Sequence, residues 1–164
     1  MPRVFVGVGS NINRETNIRS GLRALRDLFG DLRVSTIYQT AAVGFEGDDF
    51  YNLVVSFDSE EPIRRVAAML REIEFAHGRR PVETRYSSRT LDLDLLLYGT
   101  EIVHETGLNV PREDITRYDF VLGPLVELAP DLCHPETGER LAQLWKAREE
   151  SAAAMHRVDM AELD

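Results

Sequence analysis

Asp92 and Asp94 stand two residues apart in the run Arg89-Thr90-Leu91-Asp92-Leu93-Asp94-Leu95-Leu96-Leu97-Tyr98. In an extended strand that spacing projects both carboxylates from one face, about 6.5 to 7 Å apart at the backbone, while Leu91, Leu93, Leu95 and Leu97 project from the other. Two hard oxygen donors on one face can converge on magnesium, which keeps part of its coordination for water and substrate phosphates. The competing reading is a pair of acids on the solvated side of an amphipathic strand. Against it stands the context, because an almost unbroken apolar run is a costly place for unpaired carboxylates. Five arginines, Arg71, Arg79, Arg80, Arg85 and Arg89, fall in the same short stretch. They read either as a solvated face or as a fork of guanidiniums for phosphate.

Other chemistries find little support. Lys146 is the only lysine and no Gly-Lys-Ser/Thr occurs, which excludes a P-loop. His77, His104, His134 and His156 are scattered, so a triad hydrolase is poorly supported; His77 at a helix end reads as a solvated imidazole. His134 adjoins the single cysteine, Cys133, but residues adjacent in sequence rarely face each other. One cysteine also forbids an intrachain disulfide. The formal charge of −9 disfavours nucleic acid as a partner, though not a small phosphorylated ligand. No apolar run approaches the roughly 18 residues of a membrane helix, and Met1-Pro2-Arg3 leads straight into Val4-Phe5-Val6 without a secretory signal. A cytoplasmic location is expected.

The elements that must position the two aspartates follow from apolar periodicity. The 164 residues suit one domain, expected over residues 1–150, with residues 151–164 as a short tail. Residues 4–8 form a β-branched run suited to a buried strand. Ile18, Leu22, Leu25 and Phe29 recur at helical spacing, with Asn13 as N-cap and Gly30 beyond the end. Residues 34–40 and 51–57 have strand composition and flank a long loop, 41–49, that reads as a lid. Pro62 at a first-turn position, Ile63, Val66, Ala67, Leu70 and Ile73, and then Gly78, predict a second helix. Residues 91–98 supply another strand. The order βαββαβ predicts an α+β, ferredoxin-like antiparallel sheet with two helices packed on one face. Further helices are expected near 121–128 and 140–150, making a helical C-terminal extension.

Several short motifs appear in one order: Val4-x-Val6-Gly7-Val8-Gly9-Ser10-Asn11, Tyr38-x-Thr40-x-x-x-Gly44, Asp49-Phe50-Tyr51-Asn52, Ile73-Glu74-x-x-x-Gly78-Arg79, the Arg89 to Asp94 run, Leu97-Tyr98-Gly99, Val110-Pro111, and Phe120-Val121-Leu122-x-Pro124-Leu125-x-Glu127-x-Ala129-Pro130-Asp131. Over about residues 3 to 140 the chain resembles the 6-hydroxymethyl-7,8-dihydropterin pyrophosphokinases of folate synthesis. That resemblance implies transfer of diphosphate from ATP to the hydroxymethyl group of a reduced pterin, giving AMP, on a ferredoxin-like fold with two magnesium ions. It makes Asp92 and Asp94 the metal ligands and places Arg89 with them as catalytic. Glu74, Arg79, Arg85, Arg89 and Arg112 fall on the ATP side. Thr40, Val43, Phe50, Asn52, Tyr86 and Phe120 fall on the pterin side, where a planar nitrogen-rich ring calls for aromatic faces and an amide edge. Small-molecule substrates and a monomer are expected, with no nucleic acid or membrane partner.

Departures from the family pattern cluster in the phosphate clamp. Arg85-Tyr86-Ser87-Ser88-Arg89 stands where the family reads Arg-Trp-Gly-Pro-Arg; Pro81 and Tyr118 replace arginines, and Arg112 replaces a histidine. Loops 41–49 and 81–88 are expected to move and to close over ATP, the second less well than in the family; Trp at Tyr86 with Gly-Pro at Ser87 and Ser88 would then tighten ATP binding. The alternative is a divergent paralogue that binds a pterin-like ligand with weak or no ATP-dependent transfer. A small regulatory module on the same fold would leave Asp92 and Asp94 without purpose.

Overall fold

In the computed structural model, residues 1–78, 89–148 and 155–159 are described. The chain runs β1 (Arg3–Ser10), α1 (Arg14–Phe29), β2 (Arg33–Val34), β3 (Ile37–Thr40), β4 (Phe50–Asp58), α2 (Ile63–Ala76), β5 (Asp92–Tyr98), β6 (Val103–Glu105), β7 (Leu108–Val110), α3 (Asp114–Arg117), α4 (Asp119–Leu128), α5 (Leu141–Arg148) and β8 (His156–Val158). This is a mixed fold of helices and an antiparallel sheet. The main sheet has the order β5-β1-β4-β3-β8, with β2 also paired to β4, and β6 and β7 form a separate hairpin. No helix among the described residues is long and apolar enough to cross a membrane.

Alternation along β1 splits the core in two. Val4, Val6 and Val8 join Ile18, Leu22 and Leu25 of α1 and Val66, Leu70 and Ile73 of α2 on one face. Phe5 joins Val54, Leu96 and Leu97 under Leu122 and Leu125 of α4 and Leu141 of α5 on the other. Each helix presents its apolar stripe to the sheet because burial of that stripe is what stabilises it. Helices therefore cover both faces, not one alone. Tyr38 and the backbone of Thr36 donate to the two oxygens of Glu127, at 2.6 and 2.9 Å, and so tie β3 to α4.

Five local expectations need correction. The strand expected over 34–40 is two strands, because the register with β4 slips by one residue between Val34 opposite Val55 and Tyr38 opposite Asn52. Ser35 absorbs the slip: its N–H donates to the Val54 carbonyl and its hydroxyl accepts from the Val54 N–H, both at 2.9 Å. Leu97 does not share a face with Leu93 and Leu95. A bulge against Phe5/Val6 inserts Leu96, so Leu97 pairs with Phe5 on the opposite face and Tyr98 takes the place beside Val4. Pro62 occupies the N-cap position before α2 rather than the first turn, and Asn13 caps α1 through its backbone carbonyl, which accepts from Asn17 at 2.9 Å, without a side-chain bond. His77 is not simply solvated, since its ring bridges the Ile73 carbonyl and the Ser20 hydroxyl at 2.7 and 2.8 Å and links α2 to α1. The segment expected as a tail supplies β8, which pairs with β3 at the sheet edge.

Candidate active site

On the face beneath α4, the strand register lays three residues in a row: Asp92 of β5, Gly9 of β1 and Asn52 of β4. Adjacent strands are about 4.8 Å apart, so the carboxylate and the amide stand about 10 Å apart across a glycine. Asp94 is likewise opposite Gly7, with Val54 beyond it. The two glycines leave open the trough that side chains would fill. At Gly9 the fit is tight, because a Cβ there would lie 2.9 Å from Asn52 Oδ1.

A cleft opens over this trough. Of the residues expected around the pterin ring, Thr40, Val43, Phe50, Asn52 and Phe120 line it together with Asp92, Asp94 and Arg112; Tyr86 lies outside the described residues. Asn52 donates from Nδ2 to the Thr40 hydroxyl at 2.6 Å, which leaves its Oδ1 as the acceptor for a ligand. Tyr118, Phe45 and Asp114 line the same cleft and were not anticipated as site residues. Tyr118 stacks on Phe120 with ring centroids 5.0 Å apart, and Phe45 meets Phe50 edge-on at 6.3 Å. The i, i+2 spacing of Gly7 and Gly9 was the sequence signal for the trough.

A second cleft lies on the α2 side of β5, lined by Arg71, Glu74, Asp94, Asn109 and Arg112 among others. Asp94 and Arg112 belong to both clefts and stand where the two meet. The Arg112 backbone N–H donates to the Leu96 carbonyl at 3.0 Å, holding this loop against β5. Its guanidinium then lies 3.6 Å from Asp94 and 3.4 Å from Asp114. Glu74 is buried and accepts from the Leu93 N–H at 2.8 Å. Arg79 and Arg85 lie outside the described residues. Arg89 is 3% exposed and sits in the interior rather than in the wall of either cleft.

Asn11, 4% exposed, joins two of the segments flanking the site. Its Oδ1 accepts from the Arg89 N–H at 2.7 Å, its own N–H donates to the Arg89 carbonyl at 3.0 Å, and its Nδ2 donates to the Asp48 carbonyl at 3.1 Å. Arg14 and Gln39 add bonds to Asp49. The end of loop 41–49 is pinned, while Val43 nearer its start is exposed.

The electrostatics concentrate on Asp94. Burial, then the neighbouring Asp92, pushes its carboxyl up to about 8, against the opposing pull of Arg112. Among the described residues no three or more His, Cys, Asp or Glu side chains gather into a metal cage. Two carboxylates with open space beside them are nonetheless the donor set that suits magnesium, which takes its remaining oxygens from water and phosphate. A cation between the pair would relieve the repulsion that now holds a proton there.

A stability test follows, with its sign fixed by that shift. The folded chain keeps a proton on Asp94 that the unfolded chain releases above pH 3.8, so the carboxylate costs stability progressively as pH rises from about 4 to about 8. Asp94→Asn is expected to raise metal-free stability at pH 8 by on the order of 2 kcal/mol and to leave it unchanged at pH 4. Thermal unfolding in chelator, with and without magnesium, measures it; an equal effect at both pH values would show that the charge is not the cause.

A family model described as 7,8-dihydro-6-hydroxymethylpterin-pyrophosphokinase (HPPK) matches residues 5–130. The chain is similar to a 2-amino-4-hydroxy-6-hydroxymethyldihydropteridine pyrophosphokinase of Pseudomonas aeruginosa, 34% identical over 152 residues covering 88% of this chain and 91% of that one. It is also similar to the protein of the same name in Haemophilus influenzae, 33% identical over 141 residues, covering 84% and 88%. Among solved structures, an HPPK-DHPS in complex with substrates aligns at TM-score 0.66 and 13% identity, covering 92% of this chain. A wild-type Plasmodium falciparum HPPK-DHPS with STZ-DHP aligns at 0.68 and 12%, covering 91%. The chain spans less than half of those two, 44% and 42%, and they speak to the fold alone.

Proposed function

The chain belongs to the 7,8-dihydro-6-hydroxymethylpterin-pyrophosphokinase family, and from that membership we propose how its two clefts divide the reaction. It transfers diphosphate from ATP to the hydroxymethyl group of hydroxymethyldihydropterin in folate biosynthesis. The hydroxymethyl oxygen attacks the β-phosphorus, the bond between that phosphorus and the α–β bridging oxygen breaks, AMP leaves and the hydroxyl proton is released.

The observation that carries the assignment is the Asp92-Gly9-Asn52 row. A flat bicyclic ring laid over Gly9, held at one edge by Asn52 Oδ1 and between aromatic faces of Phe50 and Phe120, directs its hydroxymethyl arm toward Asp92. ATP takes the second cleft, with its base and ribose near Glu74 and its phosphates running to the junction at Asp94 and Arg112. Asp92 and Asp94 hold two magnesium ions there. When bound, magnesium neutralises charge developing on the transferring phosphates and fixes them in line. Arg112, always charged, offers a guanidinium to the same phosphates where a histidine would titrate. Arg89 acts from the interior as a fixed positive charge, and Arg79, Arg85 and Tyr86 complete the clamp. Little covalent work falls to the protein; holding two substrates in register across β5 supplies most of the rate.

The β5-β1-β4-β3 order with α1 and α2 as crossovers reads as a ferredoxin-like unit within the catalytic domain of residues 1–150, with β8 added from the C-terminal segment. A cytoplasmic monomer is the simplest form of the enzyme. Purified protein given ATP, magnesium and 6-hydroxymethyl-7,8-dihydropterin is expected to yield AMP and pterin diphosphate in equal amounts. ADP as the product, or pterin binding without AMP, would overturn the proposal, the second in favour of a binding paralogue.

A further inference from the structure

Resting on the reading that ATP occupies the second cleft, we propose that His104 is a positioning residue for the nucleotide: it fixes which polar atom of the Asn109 carboxamide faces that cleft, and its protonation switches the choice.

His104 and Asn109 are opposite one another in the β6–β7 hairpin. His104 Nδ1 lies 2.5 Å from Asn109 Oδ1, and its Nε2 lies 3.2 Å from Glu136 Oε2. Both partners are acceptors. A neutral imidazole has one N–H and serves only one of them, so this arrangement belongs to the imidazolium, which donates at both nitrogens. With Oδ1 taken by His104, the polar group that Asn109 offers to the cleft it lines is the Nδ2 donor. Loss of the Nδ1 proton would set a ring lone pair against a carbonyl lone pair at 2.5 Å. The repulsion is relieved when the carboxamide turns over, so that Nδ2 donates to Nδ1 and Oδ1 takes its place at the cleft. One proton on an exposed ring thereby exchanges a donor for an acceptor in the nucleotide site.

The rest of the hairpin is held still while this happens. Arg64 of α2 pairs with Glu105 at 2.6 Å, and Arg71 donates to the Gly107 carbonyl at 2.7 Å. Glu136, from the connection between α4 and α5, is the charged group that faces the ring; Glu105 beside it is neutralised by Arg64. The hydrogen bond with Asn109, then that with Glu136, holds the imidazole above its ordinary value of 6.5. The exchange therefore falls near neutral pH.

Two measurements test this. Steady-state kinetics from about pH 5.5 to 9 should show KM for ATP changing at least about threefold with its midpoint at the His104 titration, KM for the pterin flat, and kcat unaffected by the same transition. His104→Gln and Glu136→Gln should flatten or shift the ATP profile while changing kcat less than about twofold. An ATP profile unchanged in His104→Gln overturns the positioning role. Independently of any nucleotide, NMR of the full chain should show the Asn109 carboxamide signals titrating with the His104 ring, and Asn109→Ala lowering the ring's pKa. Carboxamide signals that ignore the ring's titration overturn the switch. Absence of ATP binding at every pH would overturn the cleft assignment and the positioning role with it, and the NMR result would then judge the switch alone.

Discussion

Replacing Asp92 or Asp94 with alanine is expected to lower magnesium-dependent AMP formation at least about a thousandfold, with cooperative unfolding preserved. The carboxylates project from β5 into a trough that Gly7 and Gly9 keep open, and what they touch there is solvent-facing rather than core. The apolar side of the strand, Leu93 and Leu95 against α1 and α2, is untouched by either change. Coupled-assay turnover beside thermal unfolding separates the two effects. Turnover above about a tenth of wild type in either variant would remove the pair from the chemistry, whereas lost activity with lost folding would make it structural.

Gly9→Val is expected to weaken pterin binding about a hundredfold and leave ATP binding within about twofold. The first carbon of the new side chain would meet Asn52 Oδ1 at 2.9 Å, so the amide must turn away from its ligand-facing position. The valine methyls would then occupy the space between Asn52 and Asp92. Valine is a better strand residue than glycine, so weaker binding would not reflect a weaker β1. Gly7→Ala is the milder comparison, because its Cβ would make ordinary contact with Leu96 at 3.7 Å. Titration calorimetry with each ligand decides it: equal losses for ATP and pterin would mean that β1 has been distorted rather than the ring site filled.

The parts of this molecule that sequence made visible are those governed by local period. Alternation placed Asp92 and Asp94 on one face, and the three- and four-residue spacing of Ile18, Leu22 and Leu25 and of Val66, Leu70 and Ile73 located the two long helices. Asn52 stood out as a polar residue in an apolar strand. What depends on pairing between distant segments was not visible. The bulge that inserts Leu96 is set by how β5 lies on β1, and nothing in the leucine run announces it. The β6–β7 hairpin turns on Gly107 between runs too short for periodicity to register. Arg112 reaches Asp94 because its backbone is bonded to Leu96, a contact between residues on separate elements. β8 follows a stretch that composition marks as a tail, and its partner β3 is more than a hundred residues earlier.

Glu74 has a consequence outside catalysis. β5 ends the sheet on its side, and a leucine-rich edge strand with an outward N–H is a template on which another molecule can build. The Glu74 carboxylate takes that N–H from Leu93 and puts an acid where a foreign strand would have to start. The residue that shapes the nucleotide cleft is therefore also a guard against self-association in a crowded solution. A Glu74→Ala protein would reveal the second duty as turbidity that grows with concentration, even where the diluted chain still folds.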